Sequence, residues 1–198
     1  MLFRSSHGWF ENERFVKDLW LHHKNLHFRL GGSLPLNITY GINHFAQWGG
    51  QSPWLTEPFP TDFKNFMRIF RIQAGDPLHP GTPVSESLNR LGNHIGSRNY
   101  GLELKLGETL SKIYYQDLFE DNSGRRRRNF PDGLWGLKIS VGDNFKPLTT
   151  VVYEFLHTES QSGPSHDVDG ITVGGNDNYF NHGFYRSGWT HHRYTIGT

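Results

Sequence analysis

Four consecutive arginines, Arg125, Arg126, Arg127 and Arg128, are the densest chemical feature of the chain. Guanidinium groups hold carboxylates and phosphates through paired N–H donors. On a surface loop such a run could grip an acidic polysaccharide or the phosphates of lipopolysaccharide. A solvated loop with no ligand explains it as well, and the residues alone leave both open. Indole rings are the second candidate platform. Trp54, in loop-like sequence, and Trp189 could stack on sugar rings, while Trp48 and Trp135 near strand ends fit anchors of an interfacial belt better.

Other chemistry finds less support. The chain has 12 histidines, and His22-His23 and His191-His192 are adjacent pairs. Neighbours on a strand point to opposite faces, so such a pair does not chelate one ion. His44, His94 and His182 have no partner at ligand spacing, and no metal is expected. Glu154 with Glu159, or Asp167 with Asp169, could be posed as a glycosidase pair, but their separation is not readable from sequence. No nucleophile elbow, phosphate-binding loop or dinucleotide fingerprint occurs. No catalytic residue and no cofactor is expected.

Strands must position these groups. Leu102-Glu103-Leu104-Lys105-Leu106 alternates leucine with charge, which puts all the leucines on one face of a strand. The same period recurs over 18–31, 35–48, 99–106, 109–120 and 134–142, with turns at Gly31-Gly32-Ser33, Gly107-Glu108 and Gly142-Asp143-Asn144. It is weaker over 148–158, and 184–196 closes the set as an aromatic, basic strand. Phe63, Phe66, Met67 and Phe70 follow helical spacing after Thr61-Asp62, so 63–73 reads as one short helix. The remaining stretches, 49–99 and 159–183, read as long loops rich in Gly, Pro, Asn and Ser.

Little sequence remains to cover the apolar strand faces. Strands about ten residues long, aromatic and alternating, with no covering layer, read as a transmembrane β-barrel with lipid outside and water inside. Arg29, Glu103, Lys105 and Lys138 would then face the lumen. The mean hydropathy of −0.62 is too polar for membrane helices, and no window approaches eighteen apolar residues; a barrel needs only alternate ones. With no cysteine, disulfides and thiolate metal sites are excluded. The net charge of +1 gives no global attraction to nucleic acid. No signal peptide is visible at Met1–Ser6, so an exported protein would have to be longer than this chain.

Several segments resemble the capsule assembly Wzi family of outer-membrane proteins, in the version found in Bacteroidetes. They are Gly8–Val16, Leu21–Lys24, Tyr40–Gly50, Leu91–Ser97, Asn129–Gly136, and Asp177–Gly183 followed by Ser187-Gly188-Trp189. The resemblance spans nearly the whole chain in order. It implies an outer-membrane β-barrel with additional helices, of which residues 1–198 form a single domain, the central portion. It implies a non-catalytic, lectin-like role in bacteria: binding capsular or surface polysaccharide and helping to assemble the capsule, as a monomeric barrel in outer-membrane lipid. It supplies no residue-by-residue ligand site; the arginine loop and the two tryptophans come from the residues themselves. A β-sheet hydrolase acting on glycans and a porin-like channel remain the alternatives.

Overall fold

Antiparallel β-structure dominates. The computed structural model describes residues 1–120, 122–142, 148–168, 170–175 and 178–195. Seven strands pair in sequence order: β1 Leu2–Trp9, β2 Trp20–Leu30, β3 Leu36–Trp48, β4 Asn93–Leu106, β5 Thr109–Phe119, β6 Gly133–Ser140 and β7 Thr150–His157. Every pairing is antiparallel. Among the described residues β1 and β7 do not pair with each other, so the sheet is open.

Its register sorts side chains into rows. Leu30, Ile38, Leu102, Ile113, Leu137 and Tyr153 stand side by side across six strands. All six are exposed, between 40 % and 67 %. The next row toward the loops is wholly aromatic: Phe28, Tyr40, Tyr100, Tyr115, Trp135 and Phe155. From Tyr40 to Trp135 successive rings neighbour one another, with Tyr115 and Trp135 stacked at 4.2 Å between centroids. The opposite face is charged. Glu103, Lys112 and Lys138 lie in register, and Glu103 bonds Lys112 at 3.2 Å and Arg29 at 3.0 Å. Lys105 is exposed on the same face.

Connections are unequal at the two ends. β4 and β5 join through Gly107 and Glu108 alone, with Gly107 at φ +60° as a type II′ hairpin requires. β2 and β3 join through 31–35. The opposite end carries 10–19, 49–92, 120–132 and the segment after β7. The buried core sits at this end, in two clusters: Phe10, Val16, Leu19, Phe59 and Tyr185, and Ala46, Trp48, Ile69 and Leu91.

Helix α1, Phe63–Arg71, forms where expected. Asp62 caps it by accepting from the Asn65 N–H at 3.1 Å, and Phe66 packs against Trp48 with centroids 5.6 Å apart. Two further short helices, α2 Val84–Leu88 and α3 Asn122–Arg125, correct the expectation of a single one; each is at most one turn or so, too short to show a period. The sheet also differs at both ends of the chain. β1 was not expected, because neither of its faces is consistently apolar. Of residues 184–196, expected as a strand of the sheet, the described part, 184–195, instead crosses the strand ends. Arg14 holds this segment by donating to the carbonyls of Gly188 and Thr190, and Gln47 donates to Gly188 at 2.8 Å. Only the hairpin β10 Thr190–His191 and β11 Tyr194–Thr195 forms there. The 159–183 loop contains its own small hairpin, β8 His166–Val168 and β9 Ile171–Val173. Asp143 and Asn144 of the expected turn, and Asp169 of the posed carboxylate pair, lie outside the described residues.

Candidate functional site

Two adjoining depressions open at the long-loop end, one on either side of residues 181–183. The first is a polar cavity of about 250 Å³. α2 and the turn after it contribute Glu86 and Arg90, β4 contributes Asn93, the end of β5 is followed by Glu120, and the loop after β7 supplies Gln161 and His182. Glu86 is 3 % exposed. Its Oε2 accepts from the Gly92 N–H at 2.6 Å. Gly92 has φ +85°, and a Cβ there would lie 2.7 Å from the Gln47 carbonyl, so only glycine presents this N–H without strain.

His182 faces the other oxygen of Glu86, with Nε2 3.4 Å from Oε1. Its Nδ1 accepts from the backbone N–H groups of Phe184 and Tyr185 at 3.2 and 3.3 Å. The ring proton therefore sits on Nε2 and points at the carboxyl. Burial pushes the Glu86 carboxyl up to about 8, against the Gly92 hydrogen bond that favours its charge. Burial also pushes the His182 imidazole down to about 4. At neutral pH both partners are uncharged, and Glu86 is a buried acid with a proton to share.

The second depression is lined by Trp54, Asn181, His182, Gly183 and Arg186. Trp54 is 55 % exposed. Phe15 meets its ring edge-on with centroids 4.9 Å apart. The Arg186 guanidinium lies 4.8 Å from the indole centroid. The backbone beneath Arg186 is fixed by Tyr185, which is 1 % exposed and stacks on Phe59 at 5.1 Å.

A third polar network, around Asp132, acts as a clamp. The Asp132 carboxylate takes hydrogen bonds from Tyr179 at 2.7 Å, the Ser160 N–H at 2.8 Å and His157 Nδ1 at 2.6 Å. Burial alone would raise its pKa, yet these bonds hold it below the ordinary carboxylate range. The network ties the start of β6 and the end of β7 to the loop that carries the two depressions.

Three of the four arginines have partners within the chain. Arg125 donates to the Ile72 carbonyl at 3.2 Å. Arg127 pairs with Asp117 at 3.2 Å and lies over Tyr100. Arg128 bonds His166. Arg126 is exposed. Trp54 stands where a loop aromatic is expected, but Trp189 does not: it is 5 % exposed and packs into an apolar hollow with Phe10, Leu21, Phe45 and Ile95. The segment bearing it is pinned flat by Arg14 and Gln47, so its ring faces the strands. Of the posed carboxylates, Glu154 accepts from Tyr114 and Glu159 lies 3.5 Å from His157. His44 and His94, read as unpartnered, meet with Nε2 2.8 Å from Nδ1; their strands are adjacent although the residues are far apart in sequence.

Glu86, Glu120, Asn93, Gln161 and Arg186 were not singled out from sequence, and His182 was weighed only as a metal ligand without a partner. No local signal could have found them, because their spacing is set by β4 and three different connections. No protein-family profile matches this chain, and neither the curated proteins nor the solved structures give a match.

Proposed function

We propose that this chain is part of a bacterial outer-membrane β-barrel whose long-loop end binds surface polysaccharide. One observation carries the reading. A row of exposed aliphatic side chains and a row of aromatics share one sheet face, a charged ladder occupies the other, and the long connections gather beyond the aromatic row. Soluble monomers rarely expose so continuous an apolar face. Lipid-facing strands of barrels do, with an aromatic girdle at the interface, short turns on the inner side and long loops outside. On that orientation, Arg29, Glu103, Lys105 and Lys138 line the barrel interior, and both depressions open toward the cell exterior.

Glycan binding is favoured by what lines them. Carboxyl, amide and imidazole groups in the cavity match the paired donors and acceptors of sugar hydroxyls, and Trp54 offers an exposed ring beside them. The capsule-assembly resemblance of the sequence points the same way. A glycan array probed with the protein in detergent micelles tests the reading. Binding to a defined set of polysaccharides, weakened by Trp54→Ala and by Asn93→Ala, is expected; an array with no signal above the detergent control would contradict it.

A hydrolase is the second reading. Glu86 and Glu120 line the same cavity, and a carboxyl held neutral beside a second one is the donor set of a glycosidase. Release of reducing ends from a bound glycan, lost in Glu86→Gln, would replace binding by turnover.

A further inference from the structure

We propose that the Trp54–Arg186 depression is a subsite for a carboxylate-bearing sugar, a uronic acid unit of the polysaccharide; this rests on the glycan-binding reading above. The guanidinium of Arg186 is placed over the indole of Trp54 at 4.8 Å. Stacking of this kind occupies the flat face of a guanidinium and leaves its in-plane N–H fork available. That fork matches a carboxylate, which it binds through two parallel hydrogen bonds. Among the described residues, Arg186 makes no ion pair and no side-chain hydrogen bond, whereas Arg125, Arg127 and Arg128 each have a partner within the chain.

The surroundings complete a sugar subsite. Trp54 remains 55 % exposed beside the guanidinium, so a pyranose ring has apolar surface to lie on. Asn181, exposed at the rim, adds an amide donor and acceptor for a ring hydroxyl. His182 and residues 181–183 form the wall shared with the Glu86 cavity. A chain entering over Trp54 therefore reaches a second set of hydrogen-bonding groups one wall away. The backbone under Arg186 is rigid, because Tyr185 is buried in the Phe10–Phe59 cluster, so little ordering accompanies binding.

Binding of polygalacturonate, carboxyl-reduced polygalacturonate, dextran and dextran sulfate to the full-length protein in micelles tests the assignment by titration calorimetry. Polygalacturonate should bind more tightly than its carboxyl-reduced form, and Arg186→Ala should remove about tenfold or more of that affinity, the size expected for a charge-assisted pair. Arg186→Lys should restore only part, since an ammonium has no planar fork. Equal binding of polygalacturonate and its reduced form, unchanged in Arg186→Ala, would overturn the uronate subsite while leaving glycan binding standing. Dextran sulfate bound as tightly and lost as completely in Arg186→Ala would make the site a general anion site and overturn the carboxylate assignment. Binding of none of the four would overturn the subsite and count against the glycan reading with it.

Discussion

Glu86 couples the stability of the long-loop end to pH. Its carboxyl ionises near 8 in the folded chain against 4.5 for a free side chain, so the folded state holds a proton that the unfolded state has lost between those values. Stability from this group is complete below about 4.5 and falls as pH rises toward 8. His182 acts with the opposite sign. Its imidazole is depressed from 6.5 to about 4, so its contribution is present above 6.5 and lost as pH falls. Only the Glu86 slope remains between 6.5 and 8. Glu86→Gln keeps the shape and the Gly92 hydrogen bond but cannot ionise. Relative to it, the wild-type chain should lose stability from pH 6.5 to 8, by at most about 2 kcal/mol in all; parallel melting curves across that window would count against a neutral Glu86. At this scale the sequence told little of which side chains would meet. Four arginines in a row look like one cationic patch, but α3 and the turn after it send their side chains toward Asp117, His166 and the Ile72 carbonyl. Trp54 was legible because it lies among prolines and glycines in exposed loop sequence. Arg186 was not, because nothing near it in sequence predicts that Trp54 will lie beneath it.

Among the elements, the two-residue period was the strongest sequence signal. It marked β2, β3, β5, β6 and β7 and the final residues of β4, and it placed Leu102, Leu104 and Leu106 on one face and Glu103 and Lys105 on the other. It failed where strands leave the two-faced region. The first residues of β4, Asn93 to Arg98, show no apolar alternation, because that stretch is buried under loops and helices and pairs with an equally mixed β3. β1 was missed because neither of its faces is consistently apolar. The rows make a sharp energetic distinction between faces. Leu137 stands in the exposed apolar row, between Ile113 and Tyr153. If that row meets lipid, Leu137→Arg should destabilise the folded protein in bilayers by about 2–4 kcal/mol, falling toward zero for positions near the interface. Lys138→Leu, on the other face, should cost far less. Equal effects, measured by urea unfolding in lipid vesicles, would contradict the assignment of faces.

For the whole molecule, the number of strands constrains closure. β1 and β7 run in the same direction, since six antiparallel pairings separate them. Joining them directly would make a parallel seam, whereas single-chain bacterial barrels are antiparallel with an even strand number. The proposed barrel therefore takes an odd number of strands beyond β1–β7. In the proposed barrel the tasks are separated along the strands: the rows proposed to meet lipid lie on one side of the aromatic row, and the groups proposed to hold sugars lie on the other. The absence of cysteine makes the central claim directly measurable. Single cysteines placed in turn at 102 to 106, labelled with a polarity-sensitive fluorophore and reconstituted with the full-length protein in vesicles, report what each side chain meets. The account predicts that labels at 102, 104 and 106 are quenched by lipid-borne quenchers while those at 103 and 105 respond to aqueous iodide. Labels that all respond to iodide, with no alternation, would contradict a lipid-facing sheet.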